Sequence, residues 1–202
     1  MDGKQKGFTL IEILVVVTII GVLAGLVVVL IPKGQFEAKK AECMNNIRQI
    51  VGILEPMGTS YPKYAGPNLM LYLVKRGELK GKDSLDLLFC PGDEKESLQD
   101  AGGEDGYKDL DLKKQGEYGE LTSYAGRSRT GDCAAKKGSS QPVVLVCDDD
   151  EDHHDKKGLV CGLTGGAVKW RHKVDDWGMD VETPVEIGEA SNVDELKCMV
   201  GD

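Results

Sequence analysis

Aromatic residues are scarce in this chain, at 5% of its 202 residues, and histidines number three. A catalytic base needs an orienting partner, and two adjacent histidines in an acidic run with a third on a candidate strand offer none. No nucleophile elbow, phosphate-cradling glycine loop or metalloprotease helix motif occurs, so the expectation is that the chain is not an enzyme. Close cysteine pairs of the CxxC kind are absent as well, which disfavours zinc ribbons and thioredoxin-like redox chemistry. Basic residues are outnumbered, 25 against 34 acidic, for a net charge of −9. A sequence-independent nucleic-acid binder wants the opposite sign, so no nucleic-acid partner is expected.

Long apolar runs are also missing, with one exception. From Phe8 to Ile31 a single ionisable side chain, Glu12, interrupts the apolar sequence. A helix of that length spans roughly 36 Å, enough for a hydrocarbon layer of about 30 Å. The run exceeds the usual apolar stretch of a removed secretory signal and no small-residue cleavage site closes it. Lys4 and Lys6 flank it on the N-terminal side, which places that end in the cytoplasm and the rest of the chain outside the inner membrane. A carboxylate within this segment costs on the order of 2.5–3.5 kcal/mol, so Glu12 calls for a purpose. It either snorkels to the interface or pairs with a cation buried in the same layer. The α-amino group of Phe8 becomes such a cation if the chain is cut after Gly7.

The sequence Lys6-Gly7-Phe8-Thr9-Leu10-Ile11-Glu12 resembles the type IV prepilin signature: a short basic leader ending in glycine, then phenylalanine, with glutamate fifth in the mature chain. The resemblance implies cleavage between Gly7 and Phe8 by a prepilin peptidase, N-methylation of Phe8, and a role for Glu12 in assembly. It implies partners too: copies of the chain or other pilin-like subunits, the peptidase/methylase, and an inner-membrane assembly platform. Ile31-Pro32 followed by Ala41 to Ile50 resembles the stalk of prepilin-like families of Planctomycetes-type bacteria. Phe89-Cys90-Pro91-Gly92-Asp93, Ser123-Tyr124, and His154 with Thr164-Gly165 follow the layout of relatives carrying a histidine-x9-aspartate-glycine motif. Threonine stands here where that motif has aspartate.

Downstream, Ala41, Met44, Ile47, Val51 and Leu54 recur at three or four residues, with Cys43 and Ile50 widening the stripe. This predicts one helix from Phe8 to about Leu54, kinked near Pro32 and ended at Glu55-Pro56-Met57-Gly58. A short helical signal covers Asn68–Lys75, and Leu85–Phe89 and Cys90-Pro91 follow it. Pro142 to Cys147 reads as a strand, and Gly158 to Leu163 with Ala167 to His172 as a hairpin turning on Thr164-Gly165-Gly166. Ser191 to Leu196 has capping-box character and predicts a short terminal helix. The expected organisation is a leader at 1–7, a membrane or filament-core helix at 8–31, an amphipathic stalk at 32–56 and an extracytoplasmic domain at 57–202. Residues near 92–120 are too polar to bury a core and read as a solvated insertion. The fold class is α+β and pilin-like, with a long helix packed on a small antiparallel sheet.

Two site questions stay open at this level. Asp148 to Asp155 is an unbroken run of potential metal ligands, in which Asp148, Asp150, Asp152, His154 and Asp155 are candidates for calcium. Certain secretion pseudopilins that the chain resembles carry calcium in a C-terminal loop. A solvated acidic loop and a transition-metal site through His153 and His154 are the other readings. Six cysteines outside the membrane make disulfides plausible in an oxidising compartment, with Cys147–Cys161 and Cys43–Cys90 as the candidate bridges. Free, buried thiols are the alternative.

The resulting functional expectation is a filament subunit stored in the bacterial inner membrane and serving type II-like secretion. The alternative is an anchored extracytoplasmic module that binds an ion or a partner without polymerising.

Overall fold

The computed structural model describes residues 7–57, 67–93, 105, 107, 121–127, 142–148, 150, 154–180, 182–187 and 191–200. The leader up to residue 6, nearly all of the expected insertion at 92–120, and Cys133 lie outside the described residues. The chain divides into two compact units, Met1–Ala38 and Lys39–Asp202.

Helix α1 runs from Leu10 to Leu54 and continues through Pro32. From Leu10 to Leu26 its apolar residues are exposed all round: Ile13, Leu14, Val15, Val16 and Val17 are consecutive and each is about half exposed or more. A surface helix of a water-soluble domain would hide one stripe of such a run. Thr18 turns its hydroxyl back onto the carbonyls of Leu14 and Val15, at 3.0 and 2.7 Å, so its polar group is satisfied within the helix. Among the described residues no single helix is long and apolar enough to cross a membrane. Leu10–Leu26 and Ile31–Met57 meet that requirement only when taken together.

In the second unit, Cys43, Ile47, Ile50, Val51 and Leu54 of α1 are buried, following the three-four spacing of the sequence. They join α2 (Pro67–Arg76), α3 (Lys82–Leu85) and a 3-10 turn at Asp86–Leu88 in one apolar cluster. Glu55–Met57 closes α1 as a 3-10 turn. The sheet comprises β1 (Tyr124–Arg127), β2 (Val144–Asp148), β3 (Gly158–Leu163), β4 (Val168–His172) and β5 (Met199–Val200), in the antiparallel order β4-β3-β2-β1-β5. The α+β class and the long helix on a small antiparallel sheet are as the sequence leads one to expect.

One sheet face meets α1; the other is covered by Val193, Leu196 and Met199 with Trp177 and Met179. Every residue of β2 is therefore buried, which explains its unbroken apolar run. An extra residue between Val144 and Val146 resets the alternation along β2. On β3, Gly162 lies where a Cβ would stand 2.5 Å from Val51 Cγ2 and 2.7 Å from Ile47 Cγ2, so the missing side chain is what lets α1 approach the sheet. The hairpin turn takes positive φ at Gly165 (87°) and Gly166 (81°), as expected from the glycine pair. Gly165 N–H also donates to Glu55 Oε1 at 2.6 Å, pinning that turn to the residue after α1.

Three local features differ from the sequence reading. Asp194–Leu196 is a 3-10 turn without a side-chain cap, and Ser191 Oγ pairs with the backbone of Val193 instead of capping a helix. A helix that the periodicity does not reveal, α4 (Lys173–Trp177), starts where His172 accepts from Asp175 N–H and stops at Gly178 in the left-handed region. Tyr107, from the polar stretch expected to be solvated, is buried and donates to the Leu121 carbonyl.

Candidate functional site

At the start of α1, Thr9 N–H and Thr9 Oγ1 both donate to Glu12 Oε2 at 2.8 Å, and Glu12 N–H donates to Thr9 Oγ1 at 3.3 Å. This is a capping box, with threonine before the first turn and glutamate three residues on. Its sequence signature is Thr9-Leu10-Ile11-Glu12. Gly7 and Phe8 precede it, and both are exposed.

A second constellation lies inside the Lys39–Asp202 unit. Cys43 comes from α1, Cys90 from the segment after the 3-10 turn, Asp148 from the end of β2, and His154 from the turn before β3. All four are buried. Their ligand atoms lie within 4.8 Å of one another. Cys43 Sγ donates to Asp148 Oδ1 at 3.0 Å. His154 Nε2 stands 3.2 Å from Asp148 Oδ2 and 3.5 Å from Cys90 Sγ.

The surroundings hold these groups in place. Val160 N–H donates to Asp148 Oδ2 at 2.8 Å, and Gly92 N–H points at Cys90 Sγ from 3.4 Å. Asn46 on α1 and the hydroxyl of Tyr124 both donate to the Phe89 carbonyl, at 3.1 and 3.3 Å, fixing the backbone just before Cys90. Tyr124 Oη is also 3.7 Å from Cys43 Sγ. The His154 ring meets Trp170 edge-on at 5.3 Å, and Lys40 lies over the Trp170 ring.

Burial sets the electrostatics. It pushes the Cys43 thiol well up, helped by Cys90 and Asp148, and pushes Tyr124 up in the same way. Asp148 is raised by burial although His154 and Cys43 act against that rise. Burial works against a charged His154, but Asp148 and Cys90 outweigh it and lift the imidazole to about 10. An isolated buried charge of this kind is costly, so the four groups depend on one another.

The structure thus brings together two of the five residues considered for calcium, Asp148 and His154. Asp150 and Asp155 are exposed, with Asp155 paired to Lys157 at 3.0 Å, and Asp152 lies outside the described residues. The oxygen shell that calcium takes is not assembled among the described residues, since the groups gathered around Asp148 are two sulfurs and an imidazole. Cys43, Cys90, Cys147 and Cys161 are thiols in the structure. Cys147 and Cys161 are register partners across β2 and β3, without a bridge. Cys43 and Cys90 likewise converge without a disulfide. Cys198 is disulfide-bonded. Sequence spacing could not show that Cys43 and Cys90 join Asp148, because 105 residues separate Cys43 from its carboxylate partner.

No curated protein and no solved structure matches the chain. Residues 2–28 match the family model described as the prokaryotic N-terminal methylation motif. That segment, leading into a long helix and a small antiparallel sheet, is consistent with a type IV prepilin-like protein.

Proposed function

We propose that the chain is a pilin or pseudopilin: cut after Gly7, N-methylated on Phe8, held in the bacterial inner membrane by its N-terminal helix, and assembled into a helical filament that serves type II-like secretion. The observation that carries this reading is the exposed, all-round apolar start of α1 behind a matched methylation motif. At about 25 cal/mol per Å² such a surface must stay in lipid or move directly into contact with other apolar helices. Filament assembly supplies that second environment. Glu12 contributes register, since a carboxylate without a cationic partner in the packed interior penalises misaligned neighbours. The motif supports a structural subunit rather than an enzyme.

The test is the intact mass and N-terminal sequence of the protein from its native membrane, with multimers recovered from the same preparation. A chain beginning at N-methyl-Phe8 and found in filaments is the expected result. A chain that begins at Met1 and yields no multimer overturns it and favours a fixed anchor for an extracytoplasmic binding module.

A further inference from the structure

We propose that Cys43, Cys90, Asp148 and His154 form a structural site for a divalent transition metal of the zinc class, which fastens the stalk part of α1 to the sheet. Nothing in the prepilin reading requires this site, and it stands without that reading.

The donor set is the first argument. Two sulfurs, one imidazole nitrogen and one carboxylate oxygen are ligands that zinc takes in closed tetrahedral sites. Hard, oxygen-seeking calcium and magnesium do not accept two thiolates.

Geometry is the second. Zinc bonds of about 2.0–2.3 Å place tetrahedral ligand atoms roughly 3.3–3.8 Å apart. Three of the six separations, 3.0, 3.2 and 3.5 Å, reach that range with shifts of up to about half an ångström, and the other three lie within 4.8 Å. All four side chains are buried, so the site is closed as structural sites are.

The third argument is the support around the ligands. Val160 N–H holds the carboxylate, and Gly92 N–H aims at the Cys90 sulfur from two residues along the chain. Backbone donors directed at ligand atoms stabilise the deprotonated forms that metals need. Cys90-Pro91-Gly92 supplies that donor through a tight turn, in which Asp93 N–H bonds back to the Cys90 carbonyl at 2.9 Å. Binding displaces the thiol protons and the proton on His154 Nε2 to solvent, leaving two thiolates, a carboxylate and a neutral imidazole around a doubly charged ion. The four ligands come from four separate segments, so the ion ties together parts of the chain that folding alone must otherwise bring into place.

The test uses the full-length chain purified in detergent without chelator. Elemental analysis is expected to find about one zinc per chain, and exchange with cobalt(II) chloride is expected to give the thiolate charge-transfer and intense ligand-field bands of a tetrahedral site. Excess calcium chloride should leave the cobalt spectrum unchanged. Cys90→Ser and His154→Gln are expected to lower zinc affinity by about tenfold or more, whereas Asp150→Asn and Asp155→Asn leave it as it is. Because the ligand variants can lose their fold, the cobalt spectrum of the unaltered chain decides independently. A folded wild-type chain that takes up no zinc or cobalt overturns the proposal. So does a Cys43–Cys90 cross-linked peptide in a non-reduced digest, or a cobalt spectrum that calcium abolishes.

Discussion

Adding one methyl group at Gly162 tests how closely α1 approaches the sheet. The new Cβ would stand 2.5 Å from Val51 Cγ2 and 2.7 Å from Ile47 Cγ2, while the carbonyl oxygen of Val146 is a tolerable 3.6 Å away. Carbon atoms prefer about 3.5–4.0 Å, so each of the two helix contacts must open by roughly 1 Å. Neither side chain can easily turn aside, because valine and isoleucine in a helix are confined to essentially one χ1 rotamer. Ile47 and Val51 sit one turn apart, so a whole turn of α1 has to back away. Overpacking of this kind costs about 1–3 kcal/mol. Alanine also restricts the unfolded chain, which returns about 0.4–1 kcal/mol. The net expectation for Gly162→Ala is a loss of about 1–2 kcal/mol, or roughly 2–8 °C in melting temperature for a domain of this size. Urea and thermal unfolding of the full-length chain, followed through tryptophan fluorescence, read both quantities. Combining Gly162→Ala with Val51→Ala removes one of the two clashes, so the double variant should be more stable than the sum of the single losses allows. A Gly162→Ala variant as stable as the wild type, or strict additivity in the pair, would refute the close approach.

Three further outcomes are expected. Gly158→Ala should be more damaging than Gly162→Ala in the same melts, because its Cβ would run into the backbone carbonyl oxygen of Arg171, which no rotamer change can move; equal losses would contradict this. Glu12→Gln, which loses charge but can still accept hydrogen bonds, should leave leader cleavage intact and reduce filament yield. Thr9→Ala, which loses the cap at about 1 kcal/mol, should assemble nearly normally, and the reverse pattern would reduce Glu12 to a helix cap. Burial pushes the Cys161 thiol up, with Asp148 adding to the shift. The native chain should therefore resist alkylation at Cys161 until it unfolds. Above the ordinary thiol value of about 8.5 the unfolded chain loses a proton that the folded chain keeps, so this group removes stability as pH rises; rapid alkylation of Cys161 in the native state would contradict its burial.

Elements whose signal is local were legible in the sequence. The stalk stripe, the strand ending near Cys147 and the hairpin turning at Gly165-Gly166 all fall where periodicity and turn chemistry put them. Helix α4 was not, since five residues are too few for a period, and its markers are a histidine cap and Gly178. Two-residue β5 exists only through its pairing with β1. The buried cluster shows the limit most clearly. In the sequence Asp148 and His154 belong to one acidic run, and spacing offers them the other members of that run as partners. Their actual partners are Cys43 and Cys90, brought in by the packing of α1 and of the Leu88–Cys90 segment against the sheet. Residues on the same surface loop share a sequence neighbourhood; residues in one core share only the fold.

The order of strands has a consequence for crowding. Among the described residues β4 and β5 are the two terminal strands of the sheet. An uncovered strand edge invites pairing with the same edge of a neighbouring molecule. Along β4, Lys169, Arg171 and His172 occupy three of five positions, and Arg171 is tied to Glu195 at 3.0 Å. Two such edges meeting would set Lys169 and Arg171 of one copy against those of the other. If copies are concentrated side by side, as the proposed function requires, this edge disfavours their pairing through β4.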